Sequence, residues 1–347
     1  MGILLTGSRT VFVLCAFNFI YLFIKNKKMR KPMFIMGMLL LIFVFLIFGI
    51  SGSFDNMGRF LTINLQESTF VGRLLYDKDG LRLLLQHPMG LGYLGAYYLQ
   101  PSFQTGVYTV RFLHNDWLQF AVDAGIIGAL LHFAGLFSGI KKSDTVQKQL
   151  FITLFIGSLF DFNMQFMIMP MVLMMTLSFD KRCEVKKPVK RSAISTLLKL
   201  GCLGFIYFMV AFGSVYFDHY TLATKMYVGN TEAKITLLQL AENKEALNQS
   251  ANAVISQNKH IALAYDAKAM ISQADHHYDS MLFFKEKAIE NKKYDIKEYE
   301  SYLQMLSTAI EAENAVGNRV KVEEYATKVF EIPEMLKKVE AQTDPLA

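Results

Sequence analysis

Long apolar runs alternate with short basic clusters along the first two-thirds of the chain. The clearest runs are about as long as a helix needs to cross a bilayer. A longer run is divided near Asp161 by polar residues, which makes it two shorter arms. The pattern predicts about six spans, at about residues 5–24, 33–50, 115–140, 148–160, 164–179 and 193–213. We therefore expect an all-α fold, a polytopic helical membrane protein.

The pattern changes after residue 216. Residues 217–347 are polar, and small and aromatic residues alternate there at helical spacing. Two stretches resemble degenerate tetratricopeptide-like helix pairs, with an offset of about 35 to 40 residues against the usual 34. The sequence predicts a membrane domain at 1–216 and a helical-repeat domain at 217–347. A plain helical bundle is the alternative for the second domain.

Composition and charge support this division. The chain of 347 residues is 52% hydrophobic, with a mean hydropathy of +0.26. Residues 1–216 carry 21 Lys and Arg against 10 Asp and Glu, whereas residues 217–347 carry 15 against 20. The basic residues lie mainly in three clusters between predicted spans, at 25–31, 141–148 and 181–191. Such placement indicates membrane topology and gives no reason to expect nucleic acid as a partner.

Basic clusters stay on the cytoplasmic side of a membrane. If all three clusters lie inside, the two arms at 148–160 and 164–179 must form a hairpin that turns near Asp161. The amphipathic loop 51–113 and residues 217–347 then lie outside. We expect a multi-pass membrane protein with both of these segments extracytoplasmic.

Charged, amide and glycine residues gather on this predicted outer face. They are Arg9 at the end of the first span, Arg73, Arg82 and Arg111 in the loop, Gly90 and Gly92 after Pro88, and the pair His114–Asn115. The pair stands directly before an apolar helix that contains Asp116 and Asp123 on one face. Because carboxylates in a span are costly, that face should point into the protein.

Four segments combine these residues in a characteristic order. They are LTGSRTVFVL, GRLLYDKDGLRLLLQHPMGLG, HNDWLQFAVDAGIIGALL and SLFDFNMQF. Together, over about residues 4–175, they resemble the O-antigen ligase family. This family includes lipopolysaccharide O-antigen ligases, related glycan polymerases and protein O-oligosaccharyltransferases. The resemblance implies a location in the bacterial cytoplasmic membrane, with membrane lipid around the protein, and an undecaprenyl-diphosphate-linked glycan as donor. It also implies transfer to an acceptor hydroxyl on the outer face without a metal or other cofactor.

The resemblance also implies roles for individual residues. It assigns catalysis to His114, Arg73 and Arg9, since histidine can act as a base near neutral pH and arginine can bind a diphosphate. The predicted substrate-binding residues are Arg111, Arg82, Asn115, Gly90 and Gly92. Headgroup contacts or loop salt bridges are the alternative for Arg111 and Arg82. We predict no metal site, because the carboxylates of DKD at 77–79 and of DHHYD at 275–279 lack further ligands at fixed spacing.

Three classes of function compete on these observations. The first is a glycosyltransferase, a glycan ligase or polymerase. The second is a non-catalytic scaffold of a polysaccharide assembly system, including a truncated or split ligase. It is suggested by the small membrane portion, because members of the family usually have about ten to twelve spans. The third is a lipid-glycan transporter, for which the spans hold few polar residues. In each case residues 217–347 are a candidate surface for a protein or peptide partner.

Overall fold

A computed structural model describes residues 9–25, 27–51, 68–177 and 191–347, and within these ranges the chain is helical without strands. The N-terminal helices are α1 (Arg9–Lys25), α2 (Arg30–Ser51), α3 (Ser68–Gln86), α4 (Gly95–Phe103), α5 (Asp116–Lys141), α6 (Thr145–Gly157) and α7 (Ile168–Met175). The later helices are α8 (Arg191–Tyr216), α9 (Tyr220–Met226), α10 (Thr231–Gln239), α11 (Lys244–Gln257), α12 (Ala262–Ala274), α13 (Tyr278–Asn291), α14 (Ile296–Ala315) and α15 (Arg319–Ala341). The fold is all-α, as the sequence predicts.

The chain forms two compact units. The first contains Met1–Ala96 and Val110–Asp180, with Leu346–Ala347. The second contains Lys181–Pro345 and also a short piece of the predicted outer loop, Tyr97–Thr109. The second unit is therefore built from two distant parts of the sequence.

Among the residues that the structure describes, two helices are long and apolar enough to cross a membrane. They are α5 and the Leu198–Tyr216 part of α8, and a shorter apolar helix covers Val13–Lys25. Large apolar side chains on the N-terminal helix α2 face outward, including Phe34, which is 62% exposed. Apolar surface of this kind is typical of a lipid-facing helix. These helices are of the kind found in membrane proteins, while the six-span arrangement stays a prediction.

The chain reverses direction between α5 and α7. A capping box begins α6, with Asp144 Oδ1 accepting from Gln147 N at 2.8 Å. The Ser143 hydroxyl, just before α6, donates to the carbonyl of Thr176, just after α7, at 2.9 Å. The segment between these residues therefore leaves and returns to the same end of α5. This is the geometry of the predicted hairpin, with its tip around residues 158–166.

The tip of this hairpin is fixed to the start of α5. Asp116 N donates to the carbonyl of Ser158 at 2.8 Å, and Met164 N donates to Asp116 Oδ2 at 2.8 Å. The indole of Trp117 donates to the carbonyl of Phe155 at 3.0 Å. Asp116 is 2% exposed, so the bond from Met164 N supplies a partner for a buried carboxylate. The sequence-based expectation that Asp116 points into the protein is confirmed.

Gly125 breaks the helical geometry inside α5, with φ 77° and ψ 172°. The loop after α3 occupies this break. Three backbone hydrogen bonds join them: Leu91 N to Val122 O at 2.9 Å, Gly92 N to Asp123 O at 3.0 Å, and Ile126 N to Pro88 O at 2.9 Å. A side chain at Gly90 would lie 2.5 Å from Asp123 O, so only glycine permits this approach.

The second unit contains three successive antiparallel helix pairs, α10–α11, α12–α13 and α14–α15, that pack on their neighbours. Their first helices begin at Thr231, Ala262 and Ile296, offsets of 31 and 34 residues. The last two pairs share a core that includes buried Met281, Tyr302 and Leu306. A helical domain is present, and its assignment to tetratricopeptide repeats stays a prediction.

Candidate functional site

Three segments of the first unit converge at the start of α5. They are α3, the lip that carries His114 and Asn115, and the tip of the α6–α7 hairpin. Arg73 on α3 donates from Nη1 to the carbonyl of Phe160 at the tip, at 2.5 Å. This bond leaves further N–H donors on the guanidinium, because arginine has five. The same side chain can therefore hold the tip and still bind an anion.

His114 lies between two aromatic rings. The Tyr76 ring, one turn along α3 from Arg73, has its centroid 5.7 Å from the imidazole. The Phe162 ring from the hairpin tip meets the imidazole edge-on at 5.1 Å, with an interplanar angle of 87°. Two elements distant in sequence thus fix the plane of the histidine. Its Nδ1 atom is buried, and no group within the described ranges hydrogen-bonds to it.

Asn115 connects the start of α5 to α3. Its Oδ1 accepts from Leu118 N at 3.1 Å and caps the helix, while its Nδ2 donates to Asp77 Oδ2 at 3.4 Å. The other carboxylate oxygen, Asp77 Oδ1, is buried and accepts from no group in the part of the chain that is described. Asp77 is one helical turn from Arg73, on the same face of α3. Arg73 and Asp77 therefore both hold residues next to His114, since Arg73 binds Phe160 and Asp77 binds Asn115.

The backbone in front of His114 is held by a buried amide. Gln119 is 1% exposed, and its Oε1 accepts from Leu113 N at 2.9 Å. Its Nε2 donates to Asp123 Oδ1 at 2.9 Å, one turn further along α5. Asp123, which the sequence predicts to face inward, therefore orients the residue that positions the lip. Asp123 therefore affects the position of His114 only indirectly, by holding Gln119.

Burial and neighbouring charges shift the two titratable groups in this site. Burial lowers the pKa of His114, the Arg73 guanidinium lowers it further, and the Asp161 carboxylate partly opposes both. Burial raises the pKa of Asp77, while the hydrogen bond from Asn115 and the charge of Arg73 oppose that change. The His114 imidazole is therefore kept neutral at pH 7, the state in which it can accept a proton.

The other predicted site residues lie in different settings. Arg111 is exposed, with its guanidinium carbon 5.9 Å from the Phe112 ring centroid. Arg82 is 3.5 Å from the buried carboxylate of Asp79. Arg9 begins α1, and its side chain lies outside the described residues. The structure thus brings His114, Arg73 and Asn115 together. It places Arg111 beside Phe112 and Arg82 beside Asp79.

Gly90 and Gly92 both have positive φ, 88° and 76°, and both lie against the α5 break. Gly92 N donates to Asp123 O of α5, whereas Gly90 N donates to His87 O within the loop. A side chain at Gly92 would meet nothing within 4 Å among the described atoms, in contrast to Gly90. These glycines shape the loop between α3 and α4, and their predicted substrate contact stays a prediction.

Sequence reasoning missed four contributors to this site. Tyr76 and Phe162 enclose His114, Asp77 holds Asn115, and Gly125 creates the break that receives the loop. The spacing of Arg73, Tyr76 and Asp77 at i, i+3 and i+4 is a signal for one shared helix face. No comparable signal in the sequence indicates that the tip phenylalanine reaches the histidine.

Within the part of the chain that the structure describes, no group of three or more histidine, cysteine, aspartate or glutamate side chains has metal-site geometry. Asp77 and Asp79, the pair in DKD, instead contact Asn115 and Arg82 respectively. The polar groups that meet at His114 are therefore an imidazole, a guanidinium, an amide and a carboxylate. This set can bind an anion and accept a proton at one place.

Comparison with known proteins bears on the part of the chain that contains this site. No curated protein and no solved structure matches the chain. The family match reaches from the first residue into α5, so it includes Arg73, His114 and Asn115, while the hairpin tip lies beyond it. Residues 1–133 match the family model described as O-antigen ligase, which confirms the resemblance over that part of the chain.

Proposed function

We propose that this protein transfers a glycan from undecaprenyl diphosphate to an acceptor hydroxyl at the outer face of the membrane. The observation that carries the proposal is that Arg73 and His114 both contact the hairpin tip, through Phe160 and Phe162, and both lie inside the range similar to O-antigen ligases. A lipid-linked diphosphate lies at headgroup depth, next to the end of a membrane helix. A base at that lip can meet an incoming hydroxyl there.

In the proposed step, neutral His114 takes the proton of the acceptor hydroxyl. The hydroxyl oxygen then bonds to the anomeric carbon of the donor sugar, and the bond from that carbon to the diphosphate oxygen breaks. The bonding pair leaves with the diphosphate, whose negative charge grows. Arg73, joined in the proposal by Arg9, stabilises that charge, because arginine stays protonated and binds phosphate oxygens with two donors.

The surroundings of His114 suit such a base. Burial and the Arg73 charge lower its pKa, so that the neutral form prevails at pH 7. Tyr76 and Phe162 restrict the ring, which limits the loss of entropy when the acceptor is positioned. Arg73 is bound to the Phe160 carbonyl, so the cation is also held in a defined place.

The proposed location of the site at the outer face is inferred from the distribution of basic residues. Basic clusters at 25–31, 141–148 and 181–191 belong on the cytoplasmic side, and the Ser143–Thr176 bond is compatible with the hairpin that this arrangement needs. The Asp116 end of α5 then faces outward. Ligation and polymerisation of a surface polysaccharide are both consistent with these residues, and so is a protein acceptor.

Complementation tests this proposal. The gene is deleted in the parent bacterium and restored as wild type, His114→Ala or His276→Ala, and surface glycan, lipid-linked precursor and protein level are followed. His276 is an exposed histidine of the second unit and serves as the matched control. We expect His114→Ala to lose surface glycan and accumulate precursor at normal protein level. Unchanged glycan with this variant would exclude the catalytic role and favour the membrane scaffold.

A further inference from the structure

A short piece of the outer loop packs with the C-terminal helices. Tyr97–Thr109 belongs to the second unit, although it lies between α3 and α5 in sequence. Tyr98 packs against a buried cluster supplied by α10, α11 and the start of α12, consisting of Leu238, Ala251, Val254, Ile261, Ala264 and Ala267. The aromatic ring thus contributes to the core of the helical domain.

A backbone bond makes a second connection. Asp344 N, beyond the end of α15, donates to the carbonyl of Thr105 at 2.8 Å. Asp344 is 7% exposed, and Gln100 and Gln104 of the same loop piece are also buried. The piece is therefore held at Tyr98 by the first helices of the domain and at Thr105 by its last residues.

In sequence, this loop piece lies between two parts of the candidate site. It follows the glycine loop that occupies the α5 break, and eight residues separate Thr105 from His114 in the chain. The loop is continuous with both, so fixing its middle reduces the conformations available to both of its ends. A helical domain attached at residue 217 thereby acts on a segment more than a hundred residues earlier.

We propose that the C-terminal helical domain is a positioning element for the transfer site, which it orders by holding residues 97–109 through Tyr98 and Asp344. The effect of this domain on transfer activity rests on the proposed function. One structural consequence is independent of that function, because segments that pack on each other lie on the same side of a membrane. The chain between Thr109 and Tyr220 must then cross an even number of times.

The even count agrees with the reversal seen within the first unit. If α5 and α8 each cross once, residues 143–176 must add either two crossings or none. The Ser143–Thr176 bond at 2.9 Å brings that segment back to where it began, as both cases require. A single crossing by this segment would separate the loop piece from the helices that it contacts.

Disulfide trapping in the full-length protein in native membranes tests the contact. With Cys15, Cys183 and Cys202 replaced by serine, Thr105→Cys and Asp344→Cys are combined, because a 2.8 Å backbone bond brings two residues within reach of a disulfide. A protease site introduced within 181–190 is cut after detergent extraction. We expect an oxidant to keep the two fragments joined until a reductant is added.

The matched control for trapping pairs Thr105→Cys with Thr327→Cys. Thr327 lies on α15, about 20 Å of helix away from Asp344 at 1.5 Å per residue. This pair should give no joined fragments. Equal joining in both pairs, or none with Asp344→Cys, would overturn the proposed contact whatever the enzyme does.

Measurements of glycan transfer distinguish a positioning role of the helical domain from a role in folding alone. Tyr98→Ala should reduce transfer about tenfold or more at normal protein level, because small misplacements of reacting groups are costly, whereas Tyr98→Phe should retain it. Val107→Ala, at an 81% exposed position of the same loop, should retain full transfer. Forming the 105–344 disulfide in the Tyr98→Ala variant should restore transfer, and reduction should abolish the rescue.

Two outcomes would contradict the positioning role. Full activity of Tyr98→Ala would exclude it, and so would a Tyr98→Ala defect that the disulfide fails to rescue. If instead the disulfide forms and His114→Ala remains fully active, the proposed function fails while the contact stands. The two proposals can therefore fail separately.

Discussion

Ile126 N donates to the carbonyl of Pro88 at 2.9 Å, although Ile126 lies within the apolar helix α5 and Pro88 lies in the loop after α3. The bond exists because Gly125 departs from helical geometry and frees backbone groups of α5 for the loop. These groups have little water to bond to in an apolar environment, so the loop supplies their partners. The break therefore joins the loop between α3 and α4 to the helix that carries the site.

Gly125→Ala should destabilise the protein by about 1–3 kcal/mol, because φ 77° with ψ 172° is a backbone region open essentially to glycine alone. The new Cβ would also lie 2.5 Å from the carbonyl carbon of Met89. We expect a lower midpoint of thermal unfolding for the purified protein in detergent, together with reduced glycan transfer.

Gly135→Ala is the control for that variant. Gly135 is in the same helix, and a Cβ there would meet nothing within 4 Å among the described atoms. Its midpoint should stay equal to the wild type or rise slightly. Equal midpoints for all three proteins would show that the break is unimportant for stability.

Substitutions at Asp77 distinguish hydrogen bonding from charge. Asp77→Asn keeps an oxygen that can accept from Asn115, whereas Asp77→Ala leaves the Asn115 amide without this acceptor. If Asp77 positions Asn115, the alanine variant should lose at least tenfold in kcat, and the asparagine variant should retain most of it. Steady-state transfer assays measure both. Equal losses in the two variants would indicate that the charge of Asp77 matters and the hydrogen bond does not.

Asp161→Asn should move the acid limb of the pH–rate profile to lower pH. The Asp161 carboxylate raises the pKa of His114, so removing its charge lowers that pKa and keeps the base neutral in more acidic solution. The profile of kcat/KM against pH in reconstituted membranes measures the shift.

Asp144→Asn is the matched control for the pH experiment. Asp144 caps α6 at the opposite end of α5, and asparagine caps helices about as well as aspartate does. Its acid limb should coincide with that of the wild type. An acid limb that moves to higher pH in Asp161→Asn would contradict the electrostatic assignment.

Lys285→Ala should destabilise the helical domain by about 3–5 kcal/mol, because it leaves Asp266 without its cation and Glu298 with Lys292 alone. Lys285 is buried, and its Nζ lies 2.7 Å from Asp266 and 2.5 Å from Glu298. Urea unfolding of the full chain, followed by limited proteolysis, measures the loss. Lys287→Ala, which breaks only an exposed pair with Glu290, should change little. Similar losses in the two variants would argue against the buried network.

Charge and apolar length predicted the larger features of this fold. The basic clusters on either side of 148–179 required a reversal near Asp161, and the chain reverses there. Whether each arm crosses the membrane stays a prediction, since α6 and α7 have 13 and 8 residues and a spanning helix needs about 20. The inward face of α5 at Asp116 was also predictable, because a carboxylate in an apolar helix must find partners.

Local features escaped prediction for physical reasons. Glycine is common in membrane helices, so Gly125 within an apolar run gave no sign of a break. The contact of Phe162 with His114 joins positions 48 residues apart, and it depends on how the hairpin packs. The packing of residues 97–109 on the C-terminal helices is likewise a tertiary contact, and no periodicity in the sequence encodes it.

The most direct test of the account is glycan transfer by the purified full-length protein in liposomes. The donor is an undecaprenyl-diphosphate-linked glycan, and released undecaprenyl diphosphate is measured together with glycan on the acceptor for wild type, His114→Ala and His276→Ala. We predict that wild type and His276→Ala form both products in equal amounts, whereas His114→Ala loses at least a hundredfold in rate, within the range that general base catalysis contributes. Wild-type rates in the folded His114→Ala variant would contradict the central claim that this histidine is the base of a transferase.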